Sequence, residues 1–225
     1  IIRLQSRSSS ECSPSDDEIT LPEDTMKILN EFFLEKLERE RQEQDSVEQK
    51  KGKDVNFEEN WQLSQFWYSE KTKKDLTKAI QRIARDDDTI GLLSCPSKKL
   101  NKPFLIFAVK IFEFDNRFSS FGDDFVFYDF NQAEDPDYLA EHHNSLDIII
   151  ADPPFLSEEC IQKISLIIKS CKKDNAKEIF CSGEIVEHWV KNYLNLEKCS
   201  YRPEHERNLG NEFVSYANFN LDEFL

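Results

Sequence analysis

The chain has 225 residues, and 29 Lys+Arg against 44 Asp+Glu give a formal net charge of −15. Duplex binding draws its affinity from Lys and Arg, so this balance argues against a nucleic-acid partner and for a basic protein one. No run approaches the about 20 apolar residues of a membrane span, and the six cysteines show neither Cys-x-x-Cys spacing nor His partners at ligand spacing. Reduced thiols, no metal site, a cytoplasmic location and a monomeric chain are therefore expected.

Residues 1–19 are Ser-rich and then acidic, with little to bury, and are expected to be disordered. From Thr20, a capping-box pattern with Glu23, Pro22 in the first turn, and Met26, Leu29, Phe33 and Leu37 at three- and four-residue steps predict an amphipathic helix. It runs into a charge-dense continuation and a Lys-rich linker, so residues 20–55 form an N-terminal helix and tether. The folded domain is placed at 56–225. It opens with Asn60 to Tyr68, in which Trp61, Phe66, Trp67 and Tyr68 fill a core edge or line a pocket. A helix follows over Thr72 to Ala84, with Leu76, Ala79, Ile80 and Ile83 on one face.

Strands are then predicted at Thr89 to Cys95, Ala108 to Asp115, Phe125 to Asp129, Asp147 to Ala151 and Glu178 to Cys181, with a helix over Ser157 to Cys171. Such alternation predicts an α/β fold with a mostly parallel sheet. Lys198 to Arg202 and Glu212 to Phe219 alternate around a polar loop, which predicts an antiparallel pair at the sheet's edge.

The most informative stretch is Ile148-Ile149-Ile150-Ala151-Asp152-Pro153-Pro154-Phe155. The uninterrupted apolar run reads as a central strand covered on both faces, and neither proline can donate to a ladder. Asp152 therefore stands at a C-terminal strand tip, the edge of open α/β sheets where ligands bind. A carboxylate oxygen and a nearby backbone carbonyl can each accept a hydrogen bond from an NH2 group, leaving its lone pair aimed at a third point. Phe155 would wall that pocket. These four residues match the Asp-Pro-Pro-Tyr/Phe motif of amino-methyltransferases that use S-adenosylmethionine. The competing reading is a plain strand-ending Asp-Pro turn.

Two further acids end predicted strands, Asp115 and Asp129. An acid there can accept hydrogen bonds from a ribose diol or an adenine amine. Asp115 is assigned to the ribose, with Glu113 as the substitute if the strand ends earlier, and Asp129 to the adenine. After the first strand, Ser94-Cys95-Pro96-Ser97 lacks the usual Gly-x-Gly pattern, and Gly91 lies inside the strand. Ser94, Pro96 and Ser97 are assigned to the methionine end of the cofactor through hydroxyls and backbone NH groups. Pro103 leaves little room for a full first crossover helix.

The run from Asn60, Ser94-x-Pro96-Ser97, Phe112-Glu113-Phe114-Asp115, Phe127-Tyr128-Asp129, Asp152-Pro153-Pro154-Phe155 and Asn208-Leu209-Gly210-Asn211-Glu212-Phe213 together resemble the elongation factor 1-alpha lysine methyltransferase family, over about residues 56 to 220. The resemblance implies a seven-stranded class I, Rossmann-like sheet with an antiparallel C-terminal hairpin. It also implies S-adenosylmethionine as donor, a lysine of translation elongation factor 1-alpha as acceptor, and the cytoplasm as location. Trp61, Phe66 and Trp67, with Asn208, Asn211 and Glu212 of the last loop, become acceptor-binding candidates. That loop also reads as a simple hairpin turn. A lysine is protonated at its reference pKa of about 10.4, so desolvation among these aromatics must help free its lone pair, while Asp152 aligns the amine. Two other readings stand beside this one: an adenine or cytosine amine flipped from nucleic acid, and a non-catalytic binding module on a degenerate methyltransferase fold.

Overall fold

The computed structural model describes residues 59, 65–95, 107–207 and 212–225. The predicted N-terminal helix, Trp61, Pro96, Ser97, Asn208, Asn211 and the first crossover lie outside them. Within the described residues, Ser69 caps helix α1 (Glu70–Ile83) by accepting from the Thr72 N–H at 3.2 Å. The helix thus starts two residues before the predicted Thr72, because Ser69 supplies the side-chain acceptor that the first-turn N–H groups need. Leu76, Ala79 and Ile80 are buried on its inner face.

The strands are β1 (Thr89–Leu93), β2 (Ala108–Glu113), β3 (Phe125–Phe127), β4 (Leu146–Ala151), β5 (Lys172–Gly183), β6 (Glu197–Lys198) and β7 (Phe213–Ala217). They form one sheet in the order β3-β2-β1-β4-β5-β7-β6, with β7 antiparallel to both its neighbours and the other pairings parallel. This is the seven-stranded class I methyltransferase sheet. The predicted antiparallel pair is β6 and β7 at the sheet's edge; its first strand is only Glu197–Lys198, shorter than expected, and β7 lies between β5 and β6. β5 begins at Lys172, six residues before the predicted Glu178, directly after helix α2 (Glu158–Cys171).

β4 sits at the centre, and its side chains alternate between two cores. Ile148 and Ile150 pack with α1 and with Ile90 and Leu92 of β1. Ile149 and Ala151 pack with Ile161, Ile164 and Ile168 of α2. Full burial of each isoleucine contributes roughly 1.5–3 kcal/mol, so the strand that ends in Asp152 is held from both sides. Ser157 caps α2, and Glu158 and Glu159 in its first turn complement the helix dipole. A short helix α3 (Glu187–Leu194), ended by left-handed Asn195, buries Val190 and Leu194 beside α2 and was not expected from sequence.

Gly91 has a packing reason. A Cβ there would stand 2.5 Å from Leu146 Cδ1, and Leu146 is fully buried. Gly91→Val should therefore destabilise the fold by about 2 kcal/mol, lowering the melting temperature by roughly 5 °C. Thermal denaturation followed by circular dichroism checks this, and an unchanged midpoint would contradict it.

Candidate active site

The C-terminal tips of β1, β2 and β4 converge. The Asp152 N–H donates to the Leu93 carbonyl at 3.0 Å, pinning the tip of β4 to that of β1. Pro153 and Pro154 then end the ladder, and Phe155 turns outward, 45% exposed, edge-on to Phe130 at 6.1 Å. Asp152 itself is half-buried. Burial raises its carboxyl pKa to about 7; the Tyr68 hydroxyl facing it pulls the value down, and the Glu113 charge pushes it up.

Glu113, the last residue of β2, is buried. Its Oε1 accepts from the N–H groups of Phe114 (3.2 Å) and Asp115 (3.4 Å) and from Gln65 Nε2 (3.5 Å). Burial dominates these bonds and lifts its pKa to about 7, with the Asp115 charge adding to the rise. Asp115 does not end a strand. It caps the turn Asn116–Asp124, and its carboxylate accepts from Arg117 N (2.9 Å), Nε (2.8 Å) and a terminal guanidinium nitrogen (2.7 Å), and from Gln65 Nε2 (3.1 Å). Its oxygens serve the fold, and the strand-tip position falls to Glu113. Asp129 likewise lies two residues past β3, half-buried, and caps the turn Phe130–Gln132 by accepting from Asn131 N at 2.9 Å. Neither shift was legible, because an Asp that caps a turn and one that ends a strand share the same local sequence signal.

Ser94 resolves the missing glycine. Its φ is 49°, the left-handed region that a glycine would adopt freely. A non-glycine residue there costs about 1–2 kcal/mol, which the bond from Ser94 N–H to the Phe112 carbonyl (2.9 Å) helps offset. The Ser94 side chain lies against the buried Tyr128 hydroxyl.

The segment 65–69 forms a strap beside the 204–206 loop. Ser69 N–H donates to the Glu204 carbonyl (2.8 Å), Glu206 N–H donates to the Trp67 carbonyl (2.7 Å), and Tyr68 bridges His205 in antiparallel fashion. Trp67 is 3% exposed and packs edge-on against Phe118 at 6.3 Å. It belongs to the core, which corrects its expected place on the acceptor pocket: an indole with an apolar partner at hand buries its large area there. Phe66 is half-buried, and Glu212 is exposed, its carbonyl accepting from the Glu184 N–H at 2.9 Å. Tyr68 was read only as one of four aromatics filling a core edge or lining a pocket, and Gln65 and Arg117 were not singled out from sequence. Their only signal was adjacency to the aromatic run and to the Glu113–Asp115 tip.

At the β5 tip, Gly183 lets Leu156 approach closely: a Cβ there would lie 3.0 Å from Leu156 Cδ1 and 3.7 Å from Ile185 Cγ2. Ile185 is 70% exposed. Exposed Phe155 and Ile185 thus stand on either side of Leu156 and Gly183, while Glu184 and Glu187 next to Ile185 both pair with Lys198 (3.0 and 2.6 Å). A cavity of about 470 Å³ lies elsewhere, at the start of β4, lined among others by Arg85, Asp147 and Lys173. There the Lys173–Asp147 pair (2.7 Å) already satisfies the central charges. Cys95, Cys160, Cys171 and Cys181 are buried free thiols, and Cys199 is half-buried. Among the described residues no helix is long and apolar enough to cross a membrane.

Residues 59–221 match the family described as probable N6-adenine methyltransferase. A Drosophila melanogaster protein named as a protein-lysine N-methyltransferase is 52% identical over 219 residues, covering 93% of this chain and 98% of the relative. Proteins named EEF1A lysine methyltransferase 1 from Gallus gallus and Homo sapiens are 40% and 39% identical, covering 91% and 86% of this chain and 96% and 89% of the relatives. Among solved structures, a Methanococcus jannaschii fibrillarin pre-rRNA processing protein overlaps with 65% of this chain and 74% of that one, at 14% identity and a TM-score of 0.43. The sheet order, the Asp152-Pro153-Pro154-Phe155 tip and these relatives agree, and the chain belongs to this methyltransferase family, enzymes that use S-adenosylmethionine.

Proposed function

We propose that the chain methylates the ε-amine of a lysine in translation elongation factor 1-alpha, in the cytoplasm. The observation that carries this reading is the half-buried Asp152 at the central strand tip, beside the exposed Phe155 and Ile185, in a chain whose relatives include proteins named EEF1A lysine methyltransferase 1. Exposed apolar Phe155 and Ile185, on a chain of net charge −15, suit a basic protein segment better than a phosphate backbone.

The residues present fit the donor. Glu113 is a buried acid with one oxygen fixed by two backbone N–H groups and Gln65, which suits a ribose diol. Phe114 and Phe127, 50% and 44% exposed with rings 5.7 Å apart, offer apolar surface to a flat base, and Asp129 offers an acceptor to its amine. Left-handed Ser94, with Pro96 and Ser97 after it in sequence, is assigned to the amino-acid end. When bound, S-adenosylmethionine supplies an electrophilic methyl group. The chain's own task is to present an uncharged amine in line with it, a proximity effect. Ionised Asp152 and the carbonyls fixed by Pro153 and Pro154 accept from the lysine nitrogen and orient it. Phe155 excludes water from one side, which lowers the amine's pKa and releases its proton to solvent. Phe66 and Glu212, with Trp61, Asn208 and Asn211, are assigned to the acceptor protein.

Two results test this reading. Ile185→Ala should raise the KM for the acceptor protein about tenfold through lost apolar contact, with S-adenosylmethionine affinity unchanged by calorimetry; an unchanged KM would remove Ile185 from the interface. Supplied with labelled donor, the enzyme should label purified elongation factor 1-alpha and leave DNA and RNA oligonucleotides unlabelled. Label on the oligonucleotides alone would overturn the protein substrate.

A further inference from the structure

Gln65, the first residue of the strap, is 7% exposed. Its side-chain amide closes a triangle with two residues that follow β2: Nε2 donates to Asp115 Oδ2 (3.1 Å), Arg117 Nη2 donates to Gln65 Oε1 (3.1 Å), and the same guanidinium nitrogen pairs with Asp115 Oδ2 (2.7 Å). A guanidinium only donates and a carboxylate only accepts, so the amide stands in one orientation. Two positions on, Trp67 packs edge-on against Phe118 of the same turn, and the strap is therefore held there twice. From that fixed place Nε2 also reaches Glu113 Oε1 at 3.5 Å. The N–H groups of Phe114 and Asp115 donate to the same oxygen, and among the described residues Oε2 of Glu113 accepts no hydrogen bond.

We propose that Gln65 is a positioning residue for the methyl donor, its amide holding one oxygen of the Glu113 carboxylate so that the other is left to the ribose hydroxyls. The claim rests on the ribose role given to Glu113 above. The two N–H donors belong to the residues directly after Glu113 and move with it. Gln65 comes from a distant segment that is itself anchored, so it fixes the carboxylate against the rest of the site before the donor arrives. The amide also stands between two acids without adding a charge to either. Glu113 is faced by Asp115, which is paired with Arg117, and its charge is felt by Asp152 at the β4 tip and by the buried Tyr128 after β3, which keeps its proton. Burial and the Asp115 charge oppose ionisation of Glu113, while the N–H groups and the Gln65 amide favour it.

The test is the pH dependence of S-adenosylmethionine affinity, measured by calorimetry on the full chain, beside the carbon-13 titration of the Glu113 carboxyl, assigned by its loss in Glu113→Gln. Gln65→Leu keeps bulk in the strap and removes the amide. A bond to a charged group, at the weak end of its range, is worth about tenfold, so the Glu113 midpoint should rise from about 7 by about one pH unit. Affinity at pH 7 should fall about fivefold, because fewer molecules carry ionised Glu113, and the midpoint of the binding profile should move up alongside. A Gln65 that served strap packing alone would move neither midpoint. Should Gln65→Leu fail to fold, Gln65→Glu keeps the length and the acceptor for Arg117 and puts a like charge where the donor was, and both midpoints should move up further. Unmoved midpoints in the folded variant, with wild-type affinity still falling as pH drops through about 7, would overturn the proposal and leave the ribose role of Glu113 standing. A wild-type affinity without pH dependence near 7 would remove that ribose role and the donor-positioning role with it, while the Glu113 titration separately decides whether Gln65 holds the acid.

Discussion

Asp152→Asn is expected to lower methyl transfer by about a thousandfold and to leave S-adenosylmethionine affinity within a few fold. The substitution keeps the shape of the β4 tip and its N–H bond to Leu93. It removes the charge that orients the incoming amine and replaces one acceptor with a donor, which would meet the amine's own N–H. Preorganised groups of this kind are each worth roughly 10²–10³ in turnover. The same change should stabilise the protein above neutral pH. Asp152 has a folded pKa of about 7 against an ordinary value of 3.8. Between those values the folded state holds a proton that the unfolded state has lost, so stability falls as pH rises, and the cost is complete above about 7. Asn carries no such cost, and a gain on the order of a few kcal/mol at pH 8, absent at pH 3, would be seen by denaturant unfolding at the two pH values. An active, unstabilised variant would contradict both roles of the acid.

Glu113→Gln should weaken S-adenosylmethionine binding by about 10- to 100-fold, the worth of one or two hydrogen bonds to a charged acceptor. In the wild type the binding should itself depend on pH. Glu113 has a pKa of about 7 because burial outweighs the two N–H groups and Gln65 that favour its charge. Ribose hydroxyls donate to the ionised form, so affinity should fall as pH drops through about 7, and binding near neutrality should release protons. Calorimetry in buffers of different ionisation enthalpy measures that release directly. With Glu113→Gln the pH dependence near 7 should vanish. The acid limb of turnover should also move to lower pH, since the variant removes a like charge that raises the pKa of Asp152. A pH-independent wild-type affinity would place the ribose elsewhere.

The parts of this architecture that announced themselves did so through long or unusual signals. Ile148 to Ala151 followed by Asp152 and two prolines could be read as a buried strand ending at a ligand-binding edge, because an unbroken apolar run and two missing donors admit few other structures. The α1 and α2 stripes were legible for the same reason. What failed were endings. Asp115 and Asp129 were read as strand tips, yet each caps the turn that follows, and only Asp152 directly follows its strand. A side chain that accepts from an N–H two residues on leaves no periodicity to detect. Trp67 was placed on a pocket, but Phe118, about fifty positions away in sequence, gives it a core partner that composition alone cannot announce. Tyr68 shows the converse. Its place in the strap depends on the bridge to His205, a pairing between distant segments.

The measurement that bears most directly on the central claim is mass mapping of purified elongation factor 1-alpha after incubation with the enzyme and S-adenosylmethionine, with Asp152→Asn in parallel. The account predicts whole methyl increments on a lysine-bearing peptide, absent with the variant. An unmodified protein alongside a methylated oligonucleotide, or an equal increment from the variant, would contradict it.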